Sequence, residues 1–171
     1  VAASADDRVT VIAYDGANRL TWQVDTMGGV THLVYDANGN VAQRISYANR
    51  IAAPASTGGV LDATAIASAV AADSANDRTA RAVFDAANRQ VFSVDSTGAV
   101  IETRYDADGN VVQTAAYANR VNSGGLQVVA HLSDVQAQLQ PDAANDRTTR
   151  HVFDTAGRLV YAIDAIGNVQ Q

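Results

Sequence analysis

The stretch Tyr35-Asp36-Ala37-Asn38-Gly39-Asn40-Val41 is repeated 70 residues later as Tyr105-Asp106-Ala107-Asp108-Gly109-Asn110-Val111. The residues common to both copies are those that a tight turn between two β-strands requires. An Asp at the first position of a type I turn accepts hydrogen bonds from nearby backbone N–H groups. A Gly three residues later tolerates the left-handed backbone that closes such a hairpin. The repeated stretch therefore predicts a β-hairpin inside an internal repeat.

The same turn pattern, an Asp followed three residues later by Gly or Asn, occurs eight times. Within a copy the turns follow one another at steps of 10 or 11 residues. The pairs are Asp15/Asn18, Asp25/Gly28, Asp36/Gly39, Asp85/Asn88, Asp95/Gly98, Asp106/Gly109, Asp154/Gly157 and Asp164/Gly167. Because Gly and Asn are the residues that best accept a positive φ, each pair predicts one hairpin turn.

The segments between the turns predict strands with one apolar face. An aromatic and a β-branched residue stand two positions apart, which places both on the same side of a strand. These pairs are predicted core residues: Trp22 and Val24, Phe92 and Val94, and Tyr161 and Ile163. Each complete copy is expected to be a four-stranded antiparallel meander.

An Ala-rich segment with apolar residues at near-helical spacing follows each meander. It predicts helices over residues 60–73 and 126–140, the first preceded by Gly58-Gly59. The apolar stripe of the second helix is expected to hold Val128, Leu132, Val135 and Leu139. The copies then span residues 1–75, 76–144 and, as a partial copy, 145–171. One copy buries little apolar surface, so the expected fold is mainly β, with meanders stacked as a continuous β-spiral or solenoid and one helix per repeat.

The turn sequences resemble the Tyr-Asp repeat of the RHS/YD-repeat family. The resemblance rests on Tyr14-Asp15-Gly16-Ala17-Asn18-Arg19-Leu20, on the two stretches quoted first, and on the counterparts that begin at Phe84 and Phe153. It implies a large secreted or surface protein. In toxin complexes of this family the repeats form a hollow β-shell around a payload, in teneurins they serve adhesion, and carbohydrate binding has been proposed for them.

The chain departs from the family pattern in two respects. A helix recurs about every 70 residues, and the Asp-Pro-x-Gly-Leu signature of self-cleaving members is absent. A fibre or stalk is therefore favoured over a closed shell. The expectation is a structural segment of an extracellular or cell-surface bacterial protein, and both ends of the sequence suggest an excerpt from a longer array. Its expected partners are further copies of itself, and the alternative is a carbohydrate-binding or adhesive module.

Composition excludes several other functions. The net charge is −6 and all 12 basic residues are Arg, which argues against a nucleic-acid partner. No Cys is present and no apolar run is long enough for membrane insertion. The histidines His32, His131 and His151 do not recur at equivalent positions, and no nucleophile elbow or phosphate-binding loop occurs. We therefore expect no enzyme activity and no cofactor.

Three residue sets have competing interpretations. Asp106, Asp108 and Asn110 could form a calcium loop, but a hairpin turn is favoured because it explains all eight sites and the EF-hand Glu is missing. The recurrent tyrosines could stack against sugars, but core packing is favoured. An arginine beside an Asp (Arg8, Arg78, Arg147) and another after a turn (Arg19, Arg89, Arg158) could link adjacent copies or lie in a solvated rim.

Overall fold

The computed structural model describes residues 10–52 and 62–171. Within them the chain has eleven strands, all antiparallel, and two short α-helices. The expected fold class, mainly β with antiparallel meanders and short helices, is confirmed. Two compact units are present: the first comprises residues 1–34 and 43–79, and the second comprises residues 35–42 and 80–171.

The strands follow the three sequence copies. The first copy has β1 (Val11–Tyr14), β2 (Leu20–Val24), β3 (Val30–Tyr35) and β4 (Val41–Ser46). The second has β5 (Arg78–Phe84), β6 (Gln90–Val94), β7 (Val100–Tyr105) and β8 (Val111–Ala116). The third has β9 (Arg147–Phe153), β10 (Leu159–Ile163) and β11 (Val169–Gln170). The helices are α1 (Ala63–Ala69) and α2 (Leu132–Gln136), and a 3-10 turn covers Ser123–Gly125.

Strand pairing in the second unit follows the order of the chain. Val83 lies opposite Phe92, and Val94 lies opposite Val100, so one face of β5, β6 and β7 is apolar. A register shift between Val83 and Phe84 marks the bulge beside the turn. β8 then pairs with β9, the first strand of the third copy. The sheet of this unit therefore continues from one copy into the next without a linker.

Each complete copy has its own buried cluster on one face of the sheet. In the first unit the predicted core residues Trp22 and Val24 are buried together with Ile66 of α1. In the second unit Phe92 and Val94 are buried under the chain that follows β8. The second cluster consists of Val83, Phe92, Val94, Val100, Val121, Leu126, Ala130 and Val135.

The predicted second helix is much shorter than residues 126–140. Only Leu132–Gln136 is α-helical, Ser123–Gly125 forms a 3-10 turn, and the residues between them are irregular, with bends at Leu126, Val128 and Val129. Val128 and Leu132, both placed in the apolar stripe, are exposed, whereas Leu126 and Ala130 are buried. The helical spacing was misleading because residues 126–131 are not helical, so their buried positions do not follow the period of a helix.

The predicted first helix, residues 60–73, is also shortened. α1 ends at Ala69, and residues 60–61, Gly58 and Gly59 lie outside the described residues. Asp62 caps the helix by accepting a hydrogen bond from the Thr64 N–H at 2.9 Å. Val70 has extended backbone, so the chain leaves the helix before it reaches β5.

The third copy departs from the predicted core. Tyr161 is 38% exposed and Ile163 is only half-buried, although both occupy the positions of Phe92 and Val94. The reason is that residues 145–171 carry three strands and no segment that lies over them. In the part of the chain that the structure describes, neither helix has the length and apolar character needed to cross a bilayer.

Candidate functional site

The eight Asp turns share one hydrogen-bonding geometry. In the turn at Asp106, the Oδ1 atom accepts from the N–H groups of Asp108 at 3.0 Å and Asn110 at 2.8 Å. The other seven turn Asp residues accept in the same way from the residues two and four positions later. All eight turns are therefore held by the same two backbone hydrogen bonds to the carboxylate of the turn Asp.

The residue three positions after each turn Asp has left-handed backbone. Its φ is 59° at Asn18 and at Asn88, and at the glycines it lies between 73°, at Gly157, and 90°. Asn88 and Gly157 are both exposed, so they serve their turns through backbone conformation and not through burial. The Asn88 side chain also makes a contact that the sequence did not predict. Its Oδ1 accepts from Nδ2 of Asn38 at 2.9 Å and from Nδ2 of Asn40 at 3.1 Å, which joins two neighbouring turns.

The second carboxylate oxygen of most turn residues is also engaged. Arg19, Arg89 and Arg158 each donate from Nε to the turn Asp four residues earlier, at 2.8 Å. Asn40, Asn110 and Asn168 take the same place in other turns, donating from Nδ2. Each of these arginines also forms an ion pair with the Asp of its own turn, at 2.8 Å.

The hydrogen bonds lower the pKa of all eight turn carboxyls. For Asp15, Asp25, Asp85 and Asp154 the largest cause is the backbone N–H four residues later. For Asp95, Asp106 and Asp164 it is a side-chain hydrogen bond from Thr97, Asn110 or Asn168. At Asp36 desolvation opposes the change most strongly, and hydrogen bonds from Asn40 and other groups of the turn still lower the pKa. The turns are therefore built for ionised carboxylates.

The calcium interpretation finds little support in the geometry. Both oxygens of Asp106 already accept hydrogen bonds within the turn, and Asp108 contributes its backbone N–H to that carboxylate. Among residues 10–52 and 62–171, no three His, Asp or Glu side chains lie close enough to hold a metal ion.

A second kind of Asp links the end of a meander to the next one. In the second unit Asp146 accepts from the Ala118 N–H and from the Asp142 N–H, both at 2.8 Å. In the first unit Asp77 makes the same two bonds, to Ala48 and Asp73, at the same distance. Sequence reasoning missed this role, and the signal was available because Asp7, Asp77 and Asp146 recur beside the arginines.

The neighbouring arginines do not share this role. Arg78 and Arg147 are exposed, and neither makes an ion pair within the described ranges. Arg8 lies outside the described residues. The recurrent Asn-Asp-Arg stretch therefore acts through its carboxylate, which ties two backbone segments together.

The tyrosines are neither a uniform core nor an open ladder. Tyr117 donates its hydroxyl to Glu102 Oε2 at 2.6 Å, and Arg104 Nε binds the other oxygen of Glu102 at 2.8 Å. Burial, followed by this hydrogen bond, raises the pKa of Tyr117 to about 12. The Tyr105 ring is covered by the guanidinium of Arg89 at 4.7 Å, whereas Tyr14 is exposed.

The three histidines lie in unrelated settings. His32 stacks on Trp22 with ring centroids 3.8 Å apart, and burial lowers its pKa. His131 lies at the start of α2, where its backbone N–H donates to Asp134 Oδ2 at 2.9 Å. A ring nitrogen of His151 lies 3.2 Å from the Val111 carbonyl. No shared chemistry connects them.

An open cleft of about 600 Å³ lies on the second unit beside the third copy. Its lining includes the polar side chains of Arg104, Gln113, Tyr117 and Arg150. Ile163 and the turn from Asp164 to Gly167 also line it. The cleft combines hydrogen-bond donors with an apolar surface, so it can accept either a polar ligand or a polypeptide backbone.

Comparison with known proteins identifies structural likeness only. No family model matches the sequence, and no curated protein matches it. Among solved structures, the crystal structure of TcdB2-TccC3 matches over 98% of this chain, with 16% identity and a TM-score of 0.48. The structure of TcdB2-TccC3-Cdc42 matches with 15% identity and a TM-score of 0.46. The chain spans about 9% of the length of these proteins.

Proposed function

We propose that this chain is a non-enzymatic structural segment of a large extracellular YD-repeat protein, in which successive copies extend a sheet as a fibre, stalk or shell wall. The observation that carries this proposal is the pairing of β8 with β9. Gln113 lies opposite Arg150 and Ala116 lies opposite Arg147, so the last strand of one copy forms a regular ladder with the first strand of the next. A unit built this way gains stability mainly by adding neighbours.

Asp146 supports the same function from outside the ladder. It holds the backbone at Ala118 and Asp142, on either side of the segment that returns across the sheet. The copy-to-copy junction is thus fixed by main-chain hydrogen bonds and by the half-buried carboxylate of Asp146. Such a junction suits a load-bearing wall, because it leaves no flexible linker between copies.

A length series tests this function. Chains with one to four copies of residues 76–144 are expected to gain stability with every added copy, and their scattering length should grow by a constant increment. Denaturant unfolding and small-angle X-ray scattering measure both quantities. Copies that unfold independently at a constant midpoint, or catalytic turnover by the purified chain, would overturn the proposal.

The alternative function is a carbohydrate-binding or adhesive module. The observation in its favour is the open cleft, where Tyr117, Arg150 and Gln113 present the aromatic and polar groups that sugars use. A glycan array with the intact chain tests it. Saturable binding that is lost in Arg150→Ala and in Tyr117→Ala would favour adhesion, and an array without any binding would remove this alternative.

A further inference from the structure

Both complete copies cover their sheet with the chain that follows the fourth strand. We call this stretch the cover segment. It comprises residues 117–140 in the second copy and, in the described part of the first copy, residues 47–52 and 62–71. Its apolar residues lie on the core face of the sheet: Ile66 in the first unit, and Val121, Leu126, Ala130 and Val135 in the second.

The cover segment of the second copy is also held by polar contacts at fixed sites. The Val121 N–H donates to the Gly98 carbonyl at 2.9 Å, and the Arg120 side chain donates to the Thr97 carbonyl at 3.2 Å. Arg81 donates from Nε to the Gln127 carbonyl at 3.1 Å. The backbone of the cover segment is therefore bound at two places on the sheet: the carbonyl of the turn glycine and the side chain of a strand arginine.

The first unit repeats the turn contact. The Ile51 N–H donates to the Gly28 carbonyl at 2.9 Å, as Val121 does to Gly98. A Cβ at either glycine would collide with the carbonyl oxygen of the docked residue, Ile51 or Val121. Glycine is therefore required at this position for two reasons: its backbone has positive φ, and a side chain would collide with the cover segment.

The third copy carries the same receiving groups without an occupant. Gly167 and Arg150 stand where Gly98 and Arg81 stand one copy earlier. Within the described chain, the Gly167 carbonyl and the Arg150 side chain have no hydrogen-bond partner. The apolar face is present too, since Val152 is 45% and Val169 is 61% exposed, against about 1–2% for Val83 and Val100 in the covered copy. Arg150 and Gly167 line the open cleft.

We infer that the face of β9, β10 and β11 is a docking site for a polypeptide of the cover-segment type. This inference rests on the proposed structural function and names its partner: a segment with a Tyr-Ala-Asn-Arg start, a β-branched residue that reaches the Gly167 carbonyl, a Leu and an Ala that face the sheet, and a short helix with a buried Val. The main-chain carbonyls accept from Arg150 as Gln127 does from Arg81. Docking would bury Val152, Tyr161, Ile163 and Val169, which are otherwise in contact with water.

A peptide fits this face better than a carbohydrate does. The equivalent surface of both covered copies contacts aliphatic side chains and backbone, and its central residues are aliphatic or a single aromatic. Sugar recognition instead depends on several convergent polar groups around an aromatic ring. Only the margin of the cleft, at Arg104 and Gln113, has that character.

The test is binding of a labelled synthetic peptide of residues 117–140 to the intact 171-residue chain, followed by fluorescence anisotropy. Saturable one-to-one binding is expected. Val169→Asp in the chain should weaken it at least about tenfold, as should Val121→Asp in the peptide. Gln170→Asp is the matched control, because this adjacent exposed residue lies on the opposite face of β11 and its change should leave binding intact.

A second measurement covers the case of weak binding between separate molecules. Residues 117–140 are fused after Gln171 through a flexible linker, which raises the effective concentration to the millimolar range. The fusion should melt at a higher temperature than the chain with linker alone, and Val169→Asp should abolish the gain. No gain in the fusion, or peptide binding that is indifferent to Val169→Asp, would overturn the inference.

Two other outcomes would also overturn it: glycan binding at Arg150 that the peptide does not compete with, and self-association of the chain through Val169 that excludes the peptide. Neither outcome would contradict the proposed structural function, which is tested separately by the length series. Conversely, copies that fail to stabilise one another in that series would remove the structural function even if the peptide bound.

Discussion

The second and third copies present the same three-strand face in two states, one covered and one open. Phe92 is 1% exposed in the second copy, whereas Tyr161 at the equivalent position is 38% exposed. The turns of both copies are nevertheless alike, with φ of 84° at Gly98 and 89° at Gly167. The difference teaches that the turns and strands are specified locally, and that burial depends on a segment supplied from elsewhere in the chain.

The largest expected effect comes from truncating the covered aromatic residue. Phe92→Ala should lower the free energy of unfolding by about 3–5 kcal/mol, because it removes a buried ring and leaves a cavity. Tyr161→Ala should cost about 1 kcal/mol or less, since much of that ring is already in water. Urea unfolding of both variants measures the contrast, and equal losses would show that the third face is covered in solution.

A smaller contrast is expected between the two turn glycines. Ala at either position must adopt positive φ, which costs about 1–2 kcal/mol. In Gly98→Ala the new methyl group also meets the Val121 carbonyl, whereas nothing lies near a Cβ at Gly167. Gly98→Ala should therefore destabilise the chain by about 1–3 kcal/mol more than Gly167→Ala. Thermal unfolding of the pair tests this order, and a larger loss at Gly167 would contradict it.

Low pH should reduce the stability of the covered second copy and of the open third copy alike. The turn carboxyls have a pKa below the usual 3.8 in the folded chain, at Asp95 as at Asp164. A lowered folded pKa adds stability above pH 4, which is lost as the pH falls through the folded values. NMR titration should give titration midpoints below pH 3.8 for both carboxyl groups. The urea concentration at the midpoint of unfolding should decrease when the pH is lowered below about 4. A midpoint above 3.8 at either turn would be inconsistent with its hydrogen bonds.

The smallest expected contrast concerns two tyrosine hydroxyls. Tyr117→Phe removes the hydrogen bond to Glu102, which should cost about 0.5–1.5 kcal/mol. Tyr161→Phe should change stability by less than about 0.5 kcal/mol, because its ring is partly exposed. Spectroscopic titration of the wild-type chain should also show one tyrosine ionising near pH 12, and Tyr117→Phe should remove that transition.

Sequence predicts the parts of this fold that depend on neighbours in the chain. The turn at Asp106 can be predicted from the sequence because the carboxylate, the backbone N–H groups that it accepts from and the left-handed Gly all lie within five residues. The path of the cover segment cannot be predicted in this way: Leu126 and Ala130 are buried from an irregular stretch, whereas the helical period pointed to Val128 and Leu132. Asp146 was missed for a related reason, since its partner Ala118 lies 28 residues away.

The strand order of the second unit has a consequence for how the chain acquires its structure. From β6 to β8, and again from β10 to β11, each strand pairs with its immediate predecessor across a loop of only a few residues, which costs little chain entropy. The pairing of β9 with β8 instead closes the long connection formed by residues 117–146. Folding can therefore advance from the amino end as the polypeptide emerges from a narrow exit, one hairpin at a time. The returning segment at residues 117–140 must wait for β8, and until it closes Phe92 and Val94 remain accessible to chaperones and proteases.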